Sequence, residues 1–220
     1  RGYRTISGAA PLNEIIAAGI LIFSGWDKKR TLIDPMCGSG TFLCEALMMA
    51  KNIAPGLKRE IFGFAKHKNY DHKLWLKLKE EAENQIESFN PNLIGYDLLN
   101  KMVFATKNNL KNIYPNHSCP ISAADFLTLE KSNEDALILM NPPYNVRIPQ
   151  EKIHDFYANI GSRLKHEWSG SDAWILSGDL ESLKHIGLRP KRRIRLFNGP
   201  IETKLVHIPL YRGSKKAKKQ

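Results

Sequence analysis

Four short, largely apolar runs in this chain stop, in order, on Asp34, Asp97, Asp125 and Asn141. The runs are Thr31-Leu-Ile-Asp34, Asn92-Leu-Ile-Gly-Tyr-Asp97, Ile121-Ser-Ala-Ala-Asp125 and Ala136-Leu-Ile-Leu-Met140. Each reads as a strand, and the fourth, five apolar residues too short for a helix, has the character of a strand buried on both faces of a parallel sheet. Helical spacing of apolar residues surrounds them: Leu12 to Phe23, Leu43 to Ala50, Leu99 to Leu110 and Ile153 to Leu164. A fifth strand is read at Asp172–Ser177, and residues near 193–198 and 203–211 read as a final hairpin turning at Asn198-Gly199-Pro200. The alternation predicts an α/β fold, a mostly parallel seven-stranded sheet with helices on both faces. Ligands of such sheets bind beyond the carboxyl ends of the strands, where the four polar residues stand. One such residue is usually a cap or turn former; four in succession point to a site.

The first strand runs straight into Asp34-Pro-Met-Cys-Gly-Ser-Gly-Thr41 and then a helix. Glycines there let backbone approach a ligand, and the helix amino end offers free N–H groups. A glycine loop alone is a weak sign. Here Asp34 precedes it, which repels a pyrophosphate and welcomes an ammonium or sulfonium, so the pattern favours S-adenosylmethionine over a dinucleotide. Asp97 is placed to accept the ribose hydroxyls, and Asp125 with Phe126 to meet an adenine amine and face. Asn141-Pro-Pro-Tyr144 ends the fourth run. Pro142 and Pro143 fix the backbone, so the Asn141 amide and the Pro142 carbonyl become two set acceptors for a planar NH2 group. Tyr144 adds a plane on which a base stacks, worth about 1–3 kcal/mol. Taken alone, these four residues are equally a rigid turn.

Composition narrows the partners. With 220 residues and 42% apolar content the chain can bury a full core, and one compact domain is expected over residues 1–211. Residues 1–11 are read as a segment lying over it, 51–91 as an insertion covering the sheet with a long helix whose Leu74, Leu78, Ala82, Ile86 and Phe89 lie on one stripe, and 212–220 as a disordered basic tail. A run of 18 apolar residues and a signal-like start are lacking, so a cytoplasmic protein without a membrane partner is expected. Three cysteines without a CxxC pair and seven histidines without ligand spacing give no disulfide framework and no metal site. The net charge of +11 suits a polyanion. Arg189, Lys191, Arg192, Arg193 and Arg195 form the cluster expected to meet nucleic-acid phosphates. The chain starts at Arg1, not Met, which suggests a piece of something longer.

The ordered set Arg1-Gly-Tyr-Arg4, Ala10-Pro-Leu-x-Glu14, Asp34-Pro-Met-Cys-Gly-Ser-Gly-Thr41, Ala54-Pro-Gly56, Gly95-Tyr-Asp97, Asn141-Pro-Pro-Tyr144 and Asn198-Gly-Pro-x-Glu202 resembles the Rossmann-like, class I S-adenosylmethionine-dependent methyltransferases with an Asn-Pro-Pro-Tyr motif. In particular it is similar to the THUMP-associated, RlmL-like family that methylates guanine N2 in large-subunit ribosomal RNA. The resemblance covers nearly the whole chain, insertion included. It implies that Asp34, Pro35, Gly38, Ser39 and Gly40 hold the methionine part of the cofactor, Asp97 the ribose, and Asp125 with Phe126 the adenine. Asn141, Pro142, Pro143 and Tyr144 would form the catalytic turn, with Asn141 also bordering the cofactor. It further implies an RNA substrate, ribosomal in the family, and an amino-terminal RNA-binding THUMP domain outside these residues. Where the family places Gly after the tyrosine, this chain has Asn145 and then Val146-Arg147. Rival readings of the same motif are an adenine-N6 DNA methyltransferase, a glutamine-amide protein methyltransferase and a non-catalytic RNA-binding subunit.

Overall fold

The apolar runs pair into one sheet. A computed structural model describes residues 2–6, 11–131, 135–143 and 150–213. Its strands are β1 (Leu32–Asp34), β2 (Leu93–Asp97), β3 (Ile121–Ala123), β4 (Leu137–Met140), β5 (Asp172–Ser177), β6 (Arg192–Asn198) and β7 (Ile201–Pro209). Their order in the sheet is β3-β2-β1-β4-β5-β7-β6. The first five are parallel, and only β7 runs antiparallel to its neighbours β5 and β6. The mostly parallel seven-stranded sheet expected from the sequence is therefore the one observed.

Helices α1 (Glu14–Ser24), α2 (Thr41–Ala50) and α4 (Asn100–Ile113) cover one face, and α5 (Gln150–Glu167) covers the other. Alternate strand residues feed the two cores: Leu32, Leu137, Leu139 and Trp174 face the first, while Ile33, Ile138, Met140 and Ile175 face the second. This is why the runs carry no polar alternation. Helix α1 begins where the Asn13 side chain accepts from the N–H groups of Ile15 and Ile16, and ends at Gly25 in the left-handed region. At the amino end of the sheet Arg30 ties three strands together. Its guanidinium bonds Asp172 (3.0 Å), the Asp135 carboxylate (2.7 Å) and the Ala136 carbonyl (3.0 Å).

Two departures from the sequence reading have physical causes. The run at 121–125 leaves the sheet after Ala123, because the Asp125 carboxylate turns back to accept the Leu127 N–H (2.9 Å). The insertion does not cover the sheet. Its helix α3 (His72–Asn84) has no buried residue, and Leu74 and Leu78 of the expected apolar stripe are about half exposed. Beyond it, Ile86 reaches the core while Phe89 stays exposed. Instead the insertion packs on itself, through rings of Phe62, Phe64 and Trp75 whose centroids lie 4.9–5.0 Å apart. The tail at 214–220 lies outside the described residues.

Candidate active site

A single turn shapes the carboxyl edge of β1. Gly40 takes φ 81°, and a Cβ there would stand 2.6 Å from the Thr106 methyl, so both the conformation and the space require glycine. The turn is held from α4. Thr106 Oγ1 donates to the Gly38 carbonyl (2.8 Å) and Asn109 Nδ2 to the Ser39 carbonyl (2.9 Å), both side chains being fully buried. From the neighbouring strand, Asp97 accepts the Gly38 N–H (2.9 Å) and, with its other oxygen, the Leu99 N–H (2.9 Å). These bonds fix the Asp97 carboxylate and leave each oxygen with further lone pairs toward the cavity.

The cavity, about 340 Å³, opens between this turn and the ends of β2, β3 and β4. That is within the usual range for small-molecule sites. Asp34, Pro35, Gly38, Ser39, Asp97, Asp125, Phe126, Asn141 and Pro143 all line it. Gly40 acts behind the lining, Pro142 is buried, and Tyr144 lies outside the described residues together with Asn145, Val146 and Arg147. Phe126 offers the cavity only part of its ring, since it is 2% exposed and stacks on Trp168.

Electrostatics separates the acids. Burial pushes the Asp34 carboxyl well above the usual range, the Met36 N–H opposes that, and the nearby Asp97 charge adds to it. Asp34 is thus a carboxyl poised to ionise when a cation arrives. Asp125 is exposed at the rim. Asn141 has a buried Oδ1 with no hydrogen-bond partner among the described residues. A buried acceptor of this kind costs about 1–3 kcal/mol until a donor meets it.

Sequence reasoning missed the apolar walls. Leu98, Leu99, Met102 and Phe156 line the cavity, and Leu98 is 69% exposed. The signal was present: two leucines directly follow the strand-ending Asp97, where a helix entrance is ordinarily polar. The amino-terminal segment is also part of the site, because Pro11 and Leu12 line it. Arg4 anchors that segment, donating to the Leu12 carbonyl (2.9 Å) and to Thr41 Oγ1 (3.0 Å) and pairing with Glu14 (3.3 Å). Tyr3 donates to Glu45 of α2 (3.0 Å).

The expected phosphate-binding cluster is exposed but divided. Arg192 points to one face of β6, Arg193 and Arg195 to the other, with Arg189 and Lys191 before the strand. Arg195 is already paired with Glu202 (2.9 Å) and lies over the Phe197 ring.

Residues 1–207 match the family described as RMKL-like, methyltransferase domain. The chain belongs to that family. A curated relative, "Ribosomal RNA large subunit methyltransferase K/L" of Cellvibrio japonicus, is 40% identical over 220 residues, covering 94% of this chain and 29% of the relative. The methyltransferase domain therefore spans less than a third of that relative's length. Among solved structures, a methyltransferase complexed with SAH superposes with a TM-score of 0.86 at 26% identity, covering 97% of this chain and 56% of that one. A Listeria monocytogenes protein described as a "predicted N6-adenine-specific DNA methylase" gives 0.81 at 25% identity, covering 97% and 54%. The Rossmann-like methyltransferase fold and the family resemblance drawn from the sequence agree with these relatives. So does the expectation of S-adenosylmethionine, whose demethylated product occupies the first of the two structures.

Proposed function

We propose that this domain transfers a methyl group from S-adenosylmethionine to the exocyclic N2 amine of a guanine in ribosomal RNA. The observation that carries the reading is the buried Asn141 Oδ1, without a hydrogen-bond partner among the described residues, beside a cavity lined by Asp34, Asp97 and Asp125. When bound, the cofactor supplies a methyl group made electrophilic by a sulfonium. The chain's own residues do the rest. Asp97 accepts the ribose hydroxyls, Asp125 faces the adenine end between Leu98, Leu99 and Phe126, and Asp34 offsets the cofactor's positive charge.

On the substrate side, Asn141 accepts an N–H from the target amine. A ring-conjugated amine is a poor nucleophile because its lone pair is delocalised; holding its N–H bonds aims that pair at the methyl group. The Pro142 carbonyl supplies a second acceptor and Tyr144 a stacking face in this reading. Positioning of this kind can lower a barrier by roughly 7–11 kcal/mol. No strong base is needed first, since the amine loses its proton after it has become cationic. The base must be unpaired or flipped to enter.

The relative named as a ribosomal RNA methyltransferase supports RNA as substrate. The adenine-N6 reading has its own support in the Listeria protein's name, and an adenine N6 amine would meet Asn141 in the same way. Nucleoside mass spectrometry of RNA and DNA treated with the native polypeptide separates the two: N2-methylguanosine is expected, and N6-methyladenine in DNA would overturn the assignment. Asn141→Ala tests the site itself. With the amine's N–H left unmet, kcat should fall about 10²–10³-fold while cofactor affinity changes little. A folded, cofactor-binding variant with near-normal kcat would remove Asn141 from the chemistry.

A further inference from the structure

The insertion is a surface that the methyl-transfer reading leaves unused. It leaves the core after α2 and returns before β2, so it hangs from the end of the sheet opposite the cavity. Residues 58–79 carry seven Lys or Arg side chains against only Glu60 and Asp71. Among the described residues the ion pairs engage Lys77, with Glu81, and leave Lys66, Lys68 and Lys73 without an acidic partner. All three are exposed.

Aromatic rings sit among these cations. Phe62 and Phe64 stack (5.0 Å, 24°), Trp75 meets both edge-on, and Tyr70 lies 5.9 Å from Phe64. Phe64 is 46% exposed, as a ring buried only for folding would not be. The rings hold one another in place, so a face is presented to solvent without a core beneath it. Helix α3 behind them buries no residue of its own.

A protein partner would be expected to meet an apolar surface with few charges at its centre, whereas here Arg59 lies 5.1 Å over the Phe62 ring and the same segment exposes Lys66, Lys68 and Lys73. A lipid surface would need a continuous apolar face, and the exposed leucines of α3 are interleaved with Lys73, Lys77 and Lys79. Stacking platforms edged with cations are how proteins hold unpaired nucleotides without reading their sequence. We propose that this insertion, with the exposed Phe64 ring and the unpaired Lys66, Lys68 and Lys73, is a second RNA-binding surface, one that takes a single-stranded stretch of the substrate away from the methylated base. The choice of RNA as the polyanion rests on the function proposed above. The surface contributes affinity, not chemistry, because it lies at the far end of the sheet from Asn141.

The test uses a fluorescein-labelled 12-nucleotide single-stranded RNA, a 12-base-pair RNA duplex, and the whole chain. Combined Lys66→Glu, Lys68→Glu and Lys73→Glu should weaken single-strand binding at least tenfold and flatten the plot of log affinity against log salt by about two units, at about 0.7 per neutralised phosphate. Phe64→Ala should cost on the order of tenfold on the single strand and little on the duplex, since only unpaired bases can stack. Circular dichroism and cofactor calorimetry, both unchanged, show that each variant is folded. Unaltered affinity and slope in the triple-lysine variant would overturn the proposal, as would equal losses on strand and duplex for Phe64→Ala. Should the wild-type chain bind RNA while the variants match it, only this surface fails; should cofactor binding or methylation be absent from the wild type, the methyltransferase reading fails instead.

Discussion

Asp34 shows how a single residue joins fold, charge and ligand. Its carboxyl ends β1, is 2% exposed, and is pushed up by burial in a place where Asp97 also repels its charge. A carboxyl whose folded pKa is raised binds more protons folded than unfolded, so stability falls as pH rises from the ordinary aspartate range through the raised value. A cation at the site reverses the preference. Cofactor binding should therefore release a proton from Asp34, and affinity should rise with pH until that carboxyl is ionised unaided. Calorimetry in buffers of different ionisation enthalpy reads the proton directly, and Asp34→Asn should abolish both the release and the pH dependence. A wild-type protein that binds without releasing a proton would show Asp34 to be ionised already. Asp34 and Asp97 were legible in the sequence because a strand-ending acid is visible without a structure. Thr106 and Asn109 were not. They lie on the buried side of α4, and nothing in a linear pattern tells that their polar atoms are spent on the carbonyls of Gly38 and Ser39.

Elements were read well where periodicity and burial agree. All seven strands were anticipated, β5 to the residue: β1, β4 and β5 because burial on both faces leaves an uninterrupted apolar signature, and the exposed β6 because of the Asn198-Gly199-Pro200 turn that follows it. The insertion was misread for the opposite reason. Leu74, Leu78 and Ala82 carry the helical stripe of a packed element, yet their helix stands away from the sheet, since the neighbouring rings already satisfy one another. Short-range pattern reports that a face is apolar and not what it meets. Gly161 illustrates another kind of silence. It sits in α5, where glycine normally costs stability, and a Cβ there would stand 1.8 Å from the Ile186 carbonyl oxygen in the 3-10 turn Ser182–Ile186. Gly161→Ala should therefore destabilise the domain despite its better helix propensity. Overpacking of this sort typically costs about 1–3 kcal/mol, or several degrees in Tm for a domain of this size. Gly19→Ala, in open space on α1, serves as the control and should be neutral or stabilising. A thermal scan in which both variants behave alike would show that the turn moves aside freely.

At the scale of the whole molecule, positive charge sits in two places along one sheet, the edge strand β6 and the insertion between α2 and β2. Lys204 pairs with Ser177, the last residue of β5, and Arg195 pairs with Lys204, so the β6–β7 hairpin rises at the end of the sheet that holds the cavity. Its tip is fastened there: Asn198 accepts the Asn13 N–H (3.1 Å), beside Pro11 and Leu12 of the cavity wall. The insertion hangs from the other end. Of the cluster only Arg195 stands at the cavity end, level with Ser177; Arg192 pairs with His207, which pairs with Trp174 nearer the amino end of β5, and Arg189 and Lys191 precede it, toward the end from which the insertion hangs. Composition foresaw a polyanion and placed one cluster correctly in sequence, but only the pairing of Arg195 with Glu202 shows that its charges are not equal. Neutralising Arg189, Lys191, Arg192 and Arg193 together should raise KM for RNA and reduce the salt slope by roughly 0.7–0.9 for each phosphate that is no longer met by a cation. Arg195→Ala alone should change binding less than Arg193→Ala, because Glu202 already offsets its charge. Cofactor affinity should be indifferent to all of them. If hairpin and insertion hold separate parts of one RNA, the losses in log affinity should add in a combined variant, as they do for distant and independent sites. Losses that fail to add would place both clusters on the same few phosphates.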